Sequence, residues 1–400
     1  MGLFSGIGGF ELALGRLGHS CVGMSDIDPG STRVLRTQFP DVPIYGDIES
    51  ISSINGADIL TAGFPCQDLS QAGSKRGIRG SRSRLVDHVF RLIESAKKKP
   101  EWVILENVSY MLRLKQGRGM QYVLEHAERL GYNWAYRVID ARCFGLPQRR
   151  ERVVILLSRS HNPAEILFPH GYVEPNVDDR VGAVDLSCLY GFYWTEGKRG
   201  LGWVKDAVPT IKGGSSLGIP SPPAIWNPAT GKFGTPLISD AERMFGFPEG
   251  WTEVAAEAGG RQGARWKLVG NTICVPMVDW VGRQIQTPKG LGAESRRIAK
   301  STRLPFAAYG VAGQRHAVEV SNWVVPGAAT RLGTFLSQET KPLSVRAASG
   351  FLQRARESTT IRFADGFLES LERFIEQART SEVAAVPRRQ LKVIAEAAFA

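Results

Sequence analysis

The sequence has no apolar run approaching the roughly twenty residues of a membrane span, and no charged opening followed by an apolar stretch of the kind that directs export. Neither insertion nor secretion is expected. Met1-Gly2 opens like a myristoylation signal, but Gly6 stands where that signal requires Ser or Thr. Cysteine is also scarce. The five thiols (Cys21, Cys66, Cys143, Cys188, Cys274) are far apart and odd in number, with no Cys-x-x-Cys pair and no His at zinc spacing. These absences argue against a disulfide framework and predict reduced thiols, a cytoplasmic setting and no structural metal.

What is present is a chain of 400 residues, 43% hydrophobic, enough for a substantial core in two or three domains. Its formal net charge is +11, which makes an anionic partner plausible. Residues 286–400 carry 17 Lys/Arg against 10 Asp/Glu, so seven of those eleven charges sit in the tail.

The chain is organised around Ala62-Gly63-Phe64-Pro65-Cys66-Gln67. The apolar run over residues 58–62 is of buried-strand type, and Gly63, Pro65 and Gly73 punctuate the loop that follows. Pro65 fixes its own φ and restricts Phe64, so Cys66 follows a stiff turn at the ligand-facing edge of a sheet. A free cysteine alone is more often a small buried hydrophobe. Its neighbours along the chain alter that balance.

At the start, Leu3-Phe4-Ser5-Gly6-Ile7-Gly8-Gly9-Phe10-Glu11 reads as strand, glycine turn, helix, the arrangement that brings backbone close to a nucleotide-type ligand. It is no dinucleotide fingerprint, because Gly-x-Gly-x-x-Gly fails at Glu11. The second strand ends in Asp26-Ile27-Asp28-Pro29. Asp26 suits ribose hydroxyls, whereas Asp28 before Pro29 suits a helix cap. Asp47 follows a short strand and either meets an adenine amino group or makes a turn.

Residues 74–84 form a glycine-bearing loop with five cations, Lys75, Arg76, Arg79, Arg82 and Arg84, suited to phosphate contact and to closure over a substrate. A helix is predicted over 85–99 and a strand over 102–105. That strand delivers Glu106-Asn107-Val108 to the same edge as Cys66, where a carboxyl could hold a pyrimidine by its N3 and amino edge. After a helix over 120–130 and a strand over 136–139, Arg150 and Arg152 alternate ahead of a buried strand at 153–157, pointing to one face. Prolines interrupt the βα rhythm from 158 to 233. A helix capped by Ser239, with Glu242 three residues on, is then expected, and an apolar helical pattern resumes at 269–278. In the tail, Phe367, Leu368, Leu371, Phe374 and Ile375 make the apolar stripe of a helix.

Together, Phe4-Ser5-Gly6-Ile7-Gly8-Gly9, Gly63-Phe64-Pro65-Cys66-Gln67, Glu106-Asn107-Val108, Gln148-Arg149-Arg150-Glu151-Arg152 and Gly270-Asn271-Thr272 resemble the ordered motifs of the DNA cytosine-C5 methyltransferases. The resemblance covers residues 1–285. It implies a doubly wound, Rossmann-like α/β domain that uses S-adenosylmethionine, with an inserted target-recognition module. The expected segments are a catalytic domain over 1–165, the module over 166–235, a return to the catalytic domain over 236–288, and an extension over 289–400 to which the resemblance assigns nothing.

By the same resemblance Cys66, Glu106, Arg150 and Arg152 are catalytic, with Cys66 adding to C6 of a flipped cytosine. Phe4, Gly6, Ile7, Gly9, Asp26, Ile27, Asp47, Ile48, Gly63, Pro65, Asn271 and Thr272 would surround the cofactor. Asp26 departs from the family, which usually has the longer glutamate there. The implied partner is double-stranded DNA, with a cognate restriction endonuclease as a candidate second partner, and a monomer is expected. The rival readings are a tRNA cytosine methyltransferase and a DNA-binding subunit without catalysis.

Overall fold

The computed structural model describes residues 1–65, 85–169, 182–196, 200–213, 222–257, 262–300, 303–327, 330–359 and 361–385. The chain divides into two compact units. The first draws on Met1–Asn176, Lys212–Pro220 and Ile238–Thr330, and the second on Val177–Ile211, Ser221–Leu237 and Arg331–Ala400.

The first unit is built on a ten-stranded sheet. Its strands in chain order are β1 (Gly2–Leu3), β2 (Met24–Ser25), β3 (Ile44–Tyr45), β4 (Ile59–Ala62), β5 (Trp102–Val108), β6 (Asn133–Asp140) and β7 (Glu151–Ser158). They lie side by side as β3-β2-β1-β4-β5-β7-β6. Neighbours from β3 to β5 run parallel, and β7 is antiparallel to both β5 and β6. Strand order reverses at β1, and such a switch point leaves a crevice at the carboxyl ends of the strands.

The crossovers are α1 (Gly9–Arg16), α2 (Pro29–Gln38), α3 (Leu85–Ser95) and α4 (Arg118–Arg129). The stripe on α3 (Val86, Val89, Phe90, Leu92, Ile93) and that on α4 (Met120, Val123, Leu124, Ala127) are spaced three and four apart, so each lies on one face. Both cover one side of the sheet, packing with Val103, Leu105, Tyr136 and Val153. The helix expected over 85–99 ends at Ser95, before the lysine run. Asp28 caps α2 as expected, its Oδ1 accepting from the Gly30 and Ser31 amides at 2.9 and 3.2 Å.

The tail does not form one extension. Antiparallel strands Ala307–Val311, Gln314–Val318 and Ser295–Ile298 continue the large sheet beyond β6 in that order. Ala307 and Ala308 are buried there, small enough to lie against the β6 edge. Residues from Arg331 onward instead belong to the second unit.

That unit has a five-stranded antiparallel sheet, Val204–Lys205, Tyr190–Phe192, Ala224–Asn227, Lys232–Thr235 and Lys341–Pro342 in spatial order. Helices Val345–Arg356 and Phe367–Ala385 pack on it. Phe351 and Phe367, from the helices, meet Phe192 with ring centroids 5.2 Å away in each case, and Trp226 Nε1 donates to Ser370 Oγ at 3.1 Å. The expected boundaries shift accordingly. Lys212–Pro220, inside the expected module, falls in the first unit, and the module's core is completed by helices from the far end of the chain.

The capping box expected at Ser239 is absent. The helix Ile238–Arg243 begins one residue earlier, and the Glu242 side chain is buried, receiving the Gly250 and Thr252 amides and Arg265 Nη2 at 2.8, 2.8 and 2.9 Å. A buried carboxylate requires such partners, and the tertiary set outcompetes a local cap.

Candidate active site

Strand register assembles the site. Leu3 lies beside Ser25 and Ala62, Ser25 beside Tyr45, and Ala62 beside Leu105. One residue further along each strand comes Gly46, Asp26, Phe4, Gly63 and Glu106, so these five form a row at the carboxyl edge of the sheet. A Cβ placed on Gly63 would stand 3.8 Å from Glu106 Oε2 and 3.9 Å from the Phe4 carbonyl oxygen. The glycine turn and the carboxylate motif are therefore neighbours across one strand end.

The glycine turn holds Phe4, Gly6 and Gly8 at φ of 54°, 56° and 85°. A left-handed Phe is strained by about 1–3 kcal/mol, a cost seen where backbone must face a ligand. Asp26 Oδ2 accepts the Gly6 amide at 2.8 Å and Oδ1 the Asp28 amide at 2.9 Å, so Asp26 braces the turn. Burial, partly offset by those two amides, raises the Asp26 carboxyl above the usual range. Beside it Ile27 is 74% exposed, a large apolar face directed to solvent at the row. A carboxylate at the strand tip, an apolar face and a glycine backbone suit a nucleoside-type cofactor.

The remaining residues of that set divide. Ile7 and Ile48 are buried in the core, so only their backbone can face a ligand, and the Ile7 carbonyl already accepts Trp251 Nε1 at 2.8 Å. Gly9 is a packing position, where a Cβ would lie 2.7 Å from Ile273 Cγ2. Asp47 is exposed and its Oδ1 accepts the Glu49 amide at 2.9 Å, heading a short 3₁₀ turn. Pro65 is exposed, at the last residue described before the loop.

On β5 and β7, Glu106 pairs with Val154 and Val108 with Arg152, which makes Glu106 and Arg152 diagonal neighbours on one face. Arg152 Nε sits 2.9 Å from Glu106 Oε1, and both side chains are about a tenth exposed. Arg150 is not with them. It is 2% exposed, its guanidinium lies 4.6 Å from the Phe245 ring centroid, and its Nη2 donates to the Thr272 carbonyl at 2.6 Å. The two arginines thus serve different partners. Arg150 lies just before β7, so strand alternation does not govern it.

Arg150 thereby ties this edge to Gly270-Asn271-Thr272. Gly270 is required there, because a Cβ would fall 2.3 Å from the Lys212 carbonyl carbon. Asn271 is exposed and Thr272 buried.

Sequence reasoning assigned no role to Asn107. It is 3% exposed, its Nδ2 donates to the Phe64 carbonyl at 2.9 Å, and its Oδ1 accepts the Val108 amide at 2.9 Å. It pins the turn two residues before Cys66. An amide side chain between the Glu106 carboxylate and the apolar Val108 was the available signal. Trp251 was also missed, and nothing local marks it.

Cys66 and the five cations Lys75, Arg76, Arg79, Arg82 and Arg84 lie outside the described residues. Of the described thiols, burial pushes Cys143 and Cys274 up to about 12, which leaves them inert near neutral pH. Among the described residues no group of His, Cys, Asp or Glu could hold a metal ion, and no helix is long and apolar enough to cross a membrane.

Residues 1–181 match the family described as C-5 cytosine-specific DNA methylase. The chain is 47% identical over 375 residues to the Type II methyltransferase M2.BsuMI of Bacillus subtilis (strain 168), covering 93% of this chain and 96% of that one. It is 35% identical over 170 residues to M.HhaI of Haemophilus parahaemolyticus, 42% of this chain and 51% of that one. In fold it is similar to the S. pombe Dnmt2 methyltransferase, with a TM-score of 0.52 at 15% identity over 71% of this chain and 97% of that one. The extent of the M2.BsuMI match, joined to the edge row of Phe4, Gly63 and Glu106, establishes that the chain belongs to the C-5 cytosine-specific DNA methylases.

Proposed function

We propose that the chain transfers a methyl group from S-adenosylmethionine to C5 of cytosine in double-stranded DNA, with Cys66 as nucleophile. The observation that carries this is the row at the sheet edge, which sets the glycine turn, the Gly63 turn ahead of Cys66 and the Glu106–Arg152 pair within one layer.

S-adenosylmethionine, when bound, supplies a methyl group made electrophilic by its sulfonium. Asp26 would hold the ribose, Ile27 one face of the adenine, and the Phe4 to Gly6 backbone the remainder. Asp47 and Thr272 would close the same site, and Asn271 would meet it from the end of the helix Gln262–Asn271.

The Cys66 thiolate adds to C6 of the ring, and the displaced π pair makes C5 nucleophilic. Glu106 holds the ring at N3 and the amino group through Oε2, since Oε1 faces Arg152. A carboxyl proton given to N3 neutralises the charge that builds there. Arg152 orients Glu106 and assists at the ring carbonyl. Once C5 carries the methyl, its proton leaves to a base and the Cys66–C6 bond breaks, which frees the thiolate. A stacked cytosine cannot present its ring face to a thiol, so the base is flipped out. The cations Lys75, Arg76, Arg79, Arg82 and Arg84 would contact DNA phosphates, and the second unit would read the target. Protection of a short duplex target would suit a partner restriction endonuclease.

The test is methyl transfer from labelled S-adenosylmethionine to duplex DNA and to tRNA, with Cys66→Ala alongside. Cys66→Ala should lose transfer and keep DNA binding. Full activity in that variant overturns the mechanism, and exclusive methylation of tRNA overturns the substrate.

A further inference from the structure

Two stretches remain that this function does not use. Residues 107–124, which follow Glu106, contain no Asp or Glu and carry Arg113, Lys115 and Arg118. Residues 295–318, in the tail, also contain no Asp or Glu and carry Arg296, Arg297, Lys300, Arg303 and Arg315. They are about 180 residues apart in sequence, and the fold joins them. Arg113 lies over the Phe306 ring, 5.2 Å from its centroid, and a Cβ on Gly117 would meet Leu304 at 3.8 Å.

The surface so formed is exposed and charged. Arg113, Lys115, Arg118 and Arg303 are all exposed, and none makes an ion pair among the described residues. Two large rings stand out between them, Tyr110 at 60% exposure and Phe306 at 48%. The backbone is unusual as well. Lys115 and Gln116 have φ of 48° and 62°, a left-handed pair of ordinary residues that costs about 1–3 kcal/mol each. Two cations of the tail are otherwise engaged: Lys300 pairs with Glu128 at 3.2 Å, and Arg315 is buried against the same carboxylate at 2.8 Å. Arg296 and Arg297 are exposed on the outer strand Ser295–Ile298, whereas Arg113, Lys115, Arg118 and Arg303 lie in the segments that meet through Phe306 and Leu304.

We propose that Arg113, Lys115, Arg118 and Arg303, with Tyr110 and Phe306 between them, form a docking surface for the phosphate backbone of duplex DNA flanking the target base. The proposal rests on the DNA reading above. Charge complementarity argues for it: cations without an ion pair among the described residues, beside exposed rings and with no acid in either stretch, match a polyanion. It gives the tail a role, since Arg303 and Phe306 come from it. The bland reading is that cations beside the sheet only discourage strand pairing between molecules.

The experiment measures duplex affinity against salt for the wild type, R303Q, and R113Q/K115Q/R118Q in the full chain. Each lost phosphate contact should lower the log–log slope by about 0.9, so the triple variant should lose about 2.7 and R303Q about 0.9. Between 50 and 200 mM salt the wild type should then lose about forty-fold more affinity than the triple variant. Unchanged S-adenosylmethionine affinity controls for folding. Wild-type slopes in both variants, with or without aggregation, overturn the proposal. So does a loss confined to RNA of the same length. A wild type that neither binds nor methylates duplex DNA instead removes the function on which the proposal rests.

Discussion

Asn107→Ala offers a direct test of how the site is aimed. In the wild type the Asn107 side chain bridges the strand that carries Glu106 and the turn that leads to Cys66, through the 2.9 Å bond to the Phe64 carbonyl. Phe64 is 3% exposed, so the truncated variant leaves that carbonyl without its donor and out of reach of bulk water. The cost of such an orphan is about 1–3 kcal/mol, and the variant should unfold at correspondingly lower denaturant. The larger effect is expected on rate. A nucleophile displaced by about 1 Å loses on the order of 100-fold. Single-turnover methylation of a duplex at saturating S-adenosylmethionine measures that loss, and calorimetric titration of S-adenosylmethionine should show no change. If Asn107→Ala turns over at the wild-type rate, Asn107 does not position the turn. If it loses rate only in proportion to its unfolded fraction, Asn107 is a stability residue alone.

Arg150→Leu should weaken S-adenosylmethionine binding about tenfold, because the charge-assisted bond that holds the Thr272 carbonyl is lost; an unchanged Kd by titration would place Thr272 outside the cofactor site. Phe367→Ala should destabilise the second unit by about 3–5 kcal/mol, since its ring is fully buried among Phe192, Trp203, Trp226 and Phe351, while S-adenosylmethionine binding by the first unit persists. A single unfolding transition with loss of both would show that the units do not fold separately. Glu101 supplies a pH signature. Burial pushes its carboxyl up, but hydrogen bonds from Ser158, Ser160 and His161 outweigh that and bring it from 4.5 to about 2. A carboxylate lowered by folding stabilises above its unfolded value, and that contribution fades as pH falls from about 4.5 toward 2. Glu101→Gln should therefore be less stable than the wild type at pH 6 to 7, and the two should converge near pH 2 in urea titrations. A difference that stays constant across that range would refute the assignment.

Local chemistry made much of the site legible. The glycine turn, the Asp28 cap before Pro29, the apolar runs of β4, β5 and β7, and the order of the five motifs all depend on neighbours within a few residues. Such features are written in spacing and residue type. Strand order and register came from the structure, which carries β5 on through Glu106 to Val108, past the strand expected over 102–105.

Tertiary structure decided whatever depends on distant partners. Arg150 and Arg152 look alike in sequence, yet one reaches Thr272 and the other Glu106, because the partner lies 122 residues away in the first case and on the adjacent strand in the second. Glu242 had a sound local reason to cap a helix and was drawn instead into a buried cluster with Thr252 and Arg265. The tail reads as one extension of mixed structure with an amphipathic helix, but its strands and helices find apolar faces in different units, since burial is satisfied by whichever surface matches in shape. By itself, then, the sequence determined the kind of fold and the family to which the chain belongs. How the tail is divided, which arginine meets the carboxylate, and what holds the turn before Cys66 were decided only when buried polar groups found their partners.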